Sequence, residues 1–262
     1  MPPAKKRPRA YDPARTRTAV LAQFDRVRES VGALTQDQLS APSGRGERTV
    51  HDLAALPAAV LEEVSRELEL PAPPGAKPQL TPLAWSVTSA GLTGGTADGA
   101  GERPALGALY AQTAERFARL VAGSPGERLV ATRAGTMRLG DLLVTRAVEL
   151  VVLTDDLHRA TGLDIPYDRQ ALAACTRLLA DALADKAPGG SVEVRVPPFA
   201  VVQCIGGPQH TRGTPPNVVE TDPLTWIRLA TGRIRWADAR EAAQVSASGE
   251  RADLAGLLPL AG

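Results

Sequence analysis

Residues 139–162, LGDLLVTRAVELVVLTDDLHRATG, carry apolar side chains on nearly every side of a predicted helix. A helix of this kind is typical of the buried interior of a bundle. Its charged residues nevertheless fall on one face, because steps of three, four and three residues separate Arg146, Glu149, Leu153 and Asp156. Since buried carboxylates require partners, the stretch predicts a central helix with a buried charged stripe.

This charged stripe has a structural and a chemical interpretation. In the structural one, Arg146 pairs with Glu149 one turn away and ties helices together, while Asp156 bonds to a loop near the helix end. In the chemical one, apolar surroundings raise the pKa of Glu149 towards neutrality, where a carboxyl group can work as a general acid or base. The residues alone leave both interpretations open.

The overall composition argues against several classes of protein. The chain has 262 residues and a formal net charge of +1, which gives no general attraction to nucleic acid or anionic lipid. We find no signal peptide and no apolar run of roughly 18 residues, and we therefore expect a cytoplasmic protein that does not enter a membrane. Cys175 and Cys204 form no CxxC pair and are expected to be buried, reduced thiols. Arg far outnumbers Lys, as in proteins from GC-rich genomes such as those of actinobacteria.

Helical periodicity dominates the first part of the chain and predicts a bundle with long crossovers. Four main helices are expected, over about 13–36, from Thr49 onward, over about 105–122 and over about 139–161. Pro57 falls inside the second of them and is expected to kink or restart it, because proline removes a helical hydrogen bond.

The pattern changes after a fifth predicted helix that ends near residue 186. Short strands interrupted by Pro197 and Pro198 follow, then further short helices and strands, and the segment ERADLAGLLPL is predicted as a last helix. The fold class is therefore α+β. The predicted parts are a disordered basic tail over 1–12, a helical bundle over 13–187 and a small α+β domain over 188–262.

Two motif regions resemble the mycothiol-dependent maleylpyruvate isomerase family. GTMRLGDLLVTRAVELVVLTDDLHRATGLD is similar to the core motif of that family, and ERTVHDLAALPAAV falls where the family has its other signature helix. The run from HTRGTPPNVVE to the C-terminus resembles the sterol-carrier-like domain that often follows the bundle. The resemblance implies a DinB-like four-helix bundle followed by a sterol-carrier-like α+β domain.

The resemblance also implies a metal site from which this sequence departs. The family holds a divalent metal, usually zinc, with Glu-x-x-x-His on one helix and a further His on the other signature helix. Here Glu149 is kept, but Leu153 and Leu56 stand at the two His positions, and Arg48 replaces a Trp. Because leucine has no lone pair to donate and one carboxylate does not hold zinc, we expect neither family-type zinc nor, without it, mycothiol chemistry.

The function predicted from these residues is proton transfer without a metal. Glu149 is the candidate acid or base, with Asp156 and Arg146 as orienting groups, and Leu56 and Leu153 form an apolar wall suited to a small, largely apolar metabolite. The reaction would be an isomerisation, a cyclisation or an elimination in the cleft between the bundle and the C-terminal domain. The partner is then a small molecule rather than nucleic acid or a membrane, and the oligomeric state stays open.

The loop HTRGTPPNVVE contributes two further candidate binding residues, His210 and Arg212. Arg212 could bind an anionic group, because a guanidinium matches a carboxylate with two parallel hydrogen bonds. The family uses an arginine of this domain near its active site, and Arg233 is the other candidate for that position. The alternative interpretation is that these residues only shape the loop.

Two other functions remain open from the sequence. The lost metal ligands favour a non-catalytic protein that binds an apolar ligand or a protein partner. A mycothiol-dependent transferase without metal is less expected, since zinc is what activates the thiol.

Overall fold

The computed structural model describes residues 9–75, 77–86, 105–207 and 217–260. The helices of these ranges are α1 Pro13–Val31, α2 Gln36–Ser40, α3 Val50–Glu69, α4 Pro82–Ser86, α5 Leu106–Ala122, α6 Leu139–Thr161, α7 Arg169–Lys186, α8 Pro223–Ala230 and α9 Trp236–Glu241. The strands are β1 Leu129–Thr132, β2 Gly135–Arg138, β3 Val192–Val196, β4 Ala200–Cys204, β5 Val218–Thr221 and β6 Val245–Ser248. This mixture confirms the predicted α+β class.

Helix α6 is the centre of the helical part. It packs against α1, α3 and α7, and every residue from Leu139 to Leu157 except Asp141 is buried. The stacked rings of Phe24 and Tyr110, with centroids 4.9 Å apart, fill the core between α1 and α5. The prediction that residues 139–161 form a buried central helix is confirmed.

Local sequence signals explain most helix boundaries. Side chains of the N-cap residues accept hydrogen bonds from the first free backbone N–H groups of their helices. These N-caps are Asp12 for α1, Thr49 for α3, Asp168 for α7 and Asp222 for α8. Thr49 and Asp52 form the reciprocal capping box predicted from the sequence. At the other end of α6, Gly162 adopts φ = 72°, which allows the chain to leave the helix.

Two predicted features of the chain differ in the structure. Helix α3 runs without a break from Val50 to Glu69, because the buried apolar residues around Pro57 hold the helix together despite the lost hydrogen bond. The segment 250–260 is irregular rather than helical. Pro259 has no backbone N–H, and the N–H of Leu260 donates to the carbonyl oxygen of Ala230 instead of to a helical partner. The ammonium group of Lys186 donates to the carbonyl oxygens of Leu257, Pro259 and Leu260 and so connects this segment to α7.

The predicted basic tail lies only partly within the described residues. Residues 1–8 fall outside them, whereas the Arg9 guanidinium donates to both carboxylate oxygens of Asp181, at 2.9 and 3.2 Å. From Arg9 onward the chain therefore contacts helix α7.

A four-stranded sheet forms the C-terminal part in the order β4-β3-β5-β6. Strands β3 and β5 are parallel, and the other neighbours are antiparallel. Alternate residues of β3, Val192, Val194 and Val196, are buried. Helix α7 packs against β4 and α8 as well as against α1 and α6, so this single helix joins the sheet to the bundle.

A buried ion pair also connects the two parts. Asp155 on α6 is 1% exposed, and Arg228 on α8 donates to it through Nε at 3.0 Å to each carboxylate oxygen and through Nη2 at 2.5 Å. The hydroxyl of Tyr167 donates to the same carboxylate at 3.4 Å. None of the described helices is long and apolar enough to cross a membrane.

Replacing Arg228 with Leu is predicted to destabilise the protein strongly. Asp155 would remain buried without its counter-charge, which costs about 3 kcal/mol, measured as the free energy of unfolding in urea. The matched control is Arg235→Leu, which breaks an exposed pair with Asp238 in the same part of the chain and should cost less than about 1 kcal/mol. Equal losses in the two variants would show that the Arg228–Asp155 pair does not hold the two parts together.

Candidate functional site

The four residues predicted to share one face of α6 are all buried. The exposed fractions of Arg146, Glu149, Leu153 and Asp156 are 6%, 8%, 1% and 6%. Helix α3 packs along α6 and contributes Leu56, and α4 packs near its first half with Trp85. The structure therefore keeps the stripe together, but it divides the stripe into two charged clusters separated by Leu153.

The first cluster surrounds Glu149. Arg146 Nε lies 2.8 Å from Glu149 Oε2, which makes a close ion pair one helical turn apart. The Nε–H group itself donates to Thr145 Oγ1 at 3.3 Å, and Glu149 Oε2 accepts no hydrogen bond from a described residue. The contact between Arg146 and Glu149 is thus an ion pair without a well-aligned hydrogen bond. Glu149 is a buried carboxylate whose described counter-charge is Arg146.

Arg146 is shared with a second carboxylate. Its Nη1 donates to Oε2 of Glu63 on α3 at 3.0 Å, and its guanidinium lies 6.0 Å from the centre of the Trp85 ring. Glu63 is about one-third exposed and lies 3.8 Å from Arg133. One guanidinium thus serves both carboxylates, and only Glu63 has a second, more distant counter-charge in Arg133.

The pKa of Glu149 is raised to about 7, because burial raises it, the positive charge of Arg146 partly opposes burial, and the negative charge of Glu63 adds a smaller increase. Desolvation is the largest of these causes, since a charged carboxylate loses its hydration in the core. A pKa of about 7 lies close to neutral pH. This is the range in which a carboxyl group both donates and accepts a proton readily.

The positions that would hold zinc in the resembled family do not fit a metal here. Leu56 and Leu153 are 2% and 1% exposed and belong to the continuous hydrophobic core. Within the described ranges, no group of three or more His, Cys, Asp or Glu side chains is placed to hold a metal ion. Two apolar side chains and one carboxylate cannot replace the three donors that a catalytic zinc needs.

The second cluster surrounds Asp156. Arg233, in the loop after α8, donates through Nη2 at 2.9 Å to Oδ2 and through Nε at 3.1 Å to Oδ1. Arg45, in the loop before α3, donates to Oδ2 through Nη1. The sequence predicted that Asp156 bonds to a loop, and in the structure it bonds to two loops. Both oxygens of its carboxylate accept hydrogen bonds from arginine.

Two candidate residues of the sequence analysis, His210 and Arg212, lie outside the described residues. Arg233, the other candidate for the arginine of the C-terminal domain, reaches the bundle at Asp156. Sequence reasoning missed Glu63, Trp85 and Arg45, because each comes from an element distant in sequence. The one available signal was the predicted buried acid itself, which requires a cation from elsewhere in the chain.

Comparison with known proteins supports the same architecture. Residues 168–260, about a third of the chain, match the family model described as a bacterial SCP ortholog. This match includes helix α7 and so begins before the predicted domain boundary at residue 188. No curated protein matches the chain.

Two solved structures match over most of the chain. They are the mycothiol-dependent maleylpyruvate isomerase, with 14% identity and a TM-score of 0.52, and a His-to-Ala mutant of it, with 14% identity and a TM-score of 0.54. Each match covers 91% of this chain and 93% of the other. At this identity the likeness concerns the fold alone. The resemblance predicted from the sequence is confirmed at that level: the chain has the fold of the mycothiol-dependent maleylpyruvate isomerase, with a C-terminal part that matches the bacterial SCP orthologs.

Proposed function

We propose that this protein is a metal-independent, divergent relative of maleylpyruvate isomerase that transfers protons on a small, largely apolar metabolite. The observation that carries the proposal is the state of Glu149. Its carboxylate is buried beside Leu153, its Oε2 accepts no hydrogen bond from a described residue, and its pKa is raised to about 7. A carboxyl group in this state is suited to general acid–base catalysis.

Arg146 has the role of a positioning residue in this proposal. It holds the Glu149 carboxylate at 2.8 Å, and its own guanidinium is fixed by Glu63 and Trp85. In an isomerisation, cyclisation or elimination, ionised Glu149 would take a proton from a substrate carbon and return it at another atom or release it to water. Asp156 contributes indirectly, since it fixes Arg45 and Arg233 about two turns away rather than touching the substrate.

The proposed reaction uses neither zinc nor mycothiol. Leucines at two of the three family ligand positions remove the site at which zinc would activate a thiol. The proposed partner is a small-molecule substrate.

A second candidate function is non-catalytic binding of an apolar ligand. The non-catalytic part of this alternative is favoured by Leu56 and Leu153, because these almost inaccessible core residues limit the access of a substrate to Glu149. If no substrate enters the core around Glu149, the role of Glu149 and Arg146 is structural, and they connect α6 to α3 through Glu63.

Glu149→Gln is predicted to abolish proton exchange with substrates. The wild-type protein, incubated in D₂O with a library of small ketones and unsaturated acids, should incorporate deuterium into at least one compound, detected by mass spectrometry. Loss of a general base lowers such a rate by roughly 10²-fold or more. The matched control is the exposed Glu115→Gln, which should exchange at the wild-type rate. Unchanged exchange in Glu149→Gln would contradict the acid–base role, and exchange with no compound would favour the binding function.

The stability of the protein is predicted to fall as Glu149 ionises. Its folded-state pKa of about 7 lies above the unfolded value of 4.5, so the folded state binds more protons between these values. Stability from this group is therefore fully present below about pH 4.5 and is lost as the pH rises through about 7. Unfolding free energies in urea should show wild type losing about 3 kcal/mol relative to Glu149→Gln between pH 5 and pH 8. Parallel curves would show that Arg146 already keeps Glu149 ionised.

Zinc is predicted to be absent from the purified wild-type protein and to be recruited by a designed variant. Leu56→His combined with Leu153→His places two imidazoles beside Glu149 and restores the ligand types of the family site. Elemental analysis should find about one zinc per chain in the double variant and much less than one in wild type. Stoichiometric zinc in wild type would overturn the proposal of metal-independent chemistry.

A further inference from the structure

A short loop, residues 43–48, places Arg45 at the carboxylate of Asp156, which also binds Arg233 of the C-terminal part. The backbone N–H and the hydroxyl of Ser43 both donate to the carbonyl oxygen of Arg48, at 2.9 and 2.8 Å, and close the loop. Gly44 and Gly46 adopt φ values of 72° and 62°, which only glycine takes readily. The chain therefore turns sharply on both sides of Arg45 and places it at the tip.

The tip of this loop meets the loop after α8 around a single carboxylate. Arg45 donates to Asp156 through Nη1, while Arg233 binds the same carboxylate with Nε and Nη2. Arg159 lies against this cluster, since its Nη1 donates to the carbonyl oxygen of Arg233 at 3.2 Å. Two guanidinium groups thus bind one carboxylate, and a third binds the backbone of the loop that carries one of them.

Arg48 adds a further positive charge close to Arg45. Its guanidinium forms no hydrogen bond or ion pair with a described residue, and neither does the exposed carboxylate of Glu47 beside it. Desolvation lowers the pKa of Arg45, and repulsion from Arg233 and Arg48 lowers it further against the attraction of Asp156. A partly buried excess of positive charge is costly unless an anion offsets it.

We propose that the surface where loop 43–48 meets loop 231–235 binds the anionic group, a carboxylate or a phosphate, of a small molecule through Arg45 and Arg48. Arg45 uses only Nη1 on its described partner, so Nε and Nη2 remain as parallel donors, and this fork matches two anionic oxygens. Arg233 is 8% exposed and is held by Asp156, so it supports the site without contacting the ligand.

The position of this site suggests which part of a ligand it recognises. Asp156 lies seven residues after Glu149 on α6, which is about 10 Å along the helix axis. Assigning the bound anionic group to the substrate of Glu149 rests on the function proposed above. Binding of the anion itself rests only on the arginine cluster and is testable without turnover.

Isothermal titration of the full chain with hexanoate, inorganic phosphate and uncharged hexanol, at one ionic strength, tests the site. We expect an anion to bind and hexanol to bind at least about tenfold more weakly. Tighter binding of hexanoate assigns a carboxylate ligand, and tighter binding of phosphate assigns a phosphate ester. Absence of binding by both anions, or equal binding of hexanol, would overturn the proposal.

Substitutions locate the binding. Arg48→Gln breaks no contact of the described structure and should still fold, and we expect it to weaken anion binding about tenfold. Asp156→Asn removes the competing carboxylate and should strengthen binding. The control Arg119→Gln removes an exposed arginine on α5 and should bind like wild type. Undiminished affinity in Arg48→Gln, or an equal loss in Arg119→Gln, would show that the anion responds only to overall charge.

Discussion

Helix α6 buries three carboxylates, and the arrangement of the rest of the structure depends on the cations that compensate them. Glu149, Asp155 and Asp156 are 8%, 1% and 6% exposed. An uncompensated carboxylate at such a depth costs several kcal/mol, so the chain must bring arginines to this helix. Two of them come from the C-terminal part, which is therefore fixed to the bundle by charge as well as by the packing of α7.

The three buried carboxylates differ in their arginine partners. This difference distinguishes the two structural aspartates from Glu149, the candidate catalytic residue. Asp155 receives a multiple contact from Arg228, and Asp156 has two arginines. Glu149 has only Arg146, which it shares with Glu63, and Oε2 accepts no hydrogen bond from a described residue. The aspartates are thus held in fixed positions by their arginines, whereas the pKa of Glu149 is raised to about 7.

Interactions between residues close together in sequence made much of the fold predictable. Helix periodicity and capping residues such as Thr49 and Asp222 gave most boundaries, because both act within one or two turns. The Arg146–Glu149 contact was predictable for the same reason, as its partners are three residues apart. Predictions were wrong where tertiary contacts overruled local preference: α3 does not restart at Pro57, and the C-terminal segment bonds to Ala230 and Lys186 instead of forming a helix.

The partners of the candidate site could not be predicted in this way. Glu63 lies 83 residues from Arg146, and Arg45 lies 111 residues from Asp156. No periodicity relates such distant positions. The requirement that a buried acid must have a cation was evident from the sequence, but the identity of that cation depends on how the helices pack.

Leu56 and Leu153 stand at positions where the resembled family has metal ligands, which bears on the proposed role of Glu149. A bound divalent cation would stabilise the ionised carboxylate, whereas burial among apolar side chains stabilises the protonated form. The raised pKa of Glu149, whose largest cause is desolvation, agrees with the proposed metal-independent site. A third leucine at position 149 would complete an apolar core and release Arg146 to Glu63 alone. The chain instead carries a carboxylate that costs stability whenever it ionises, and residues of that kind are characteristic of sites where stability is traded for function.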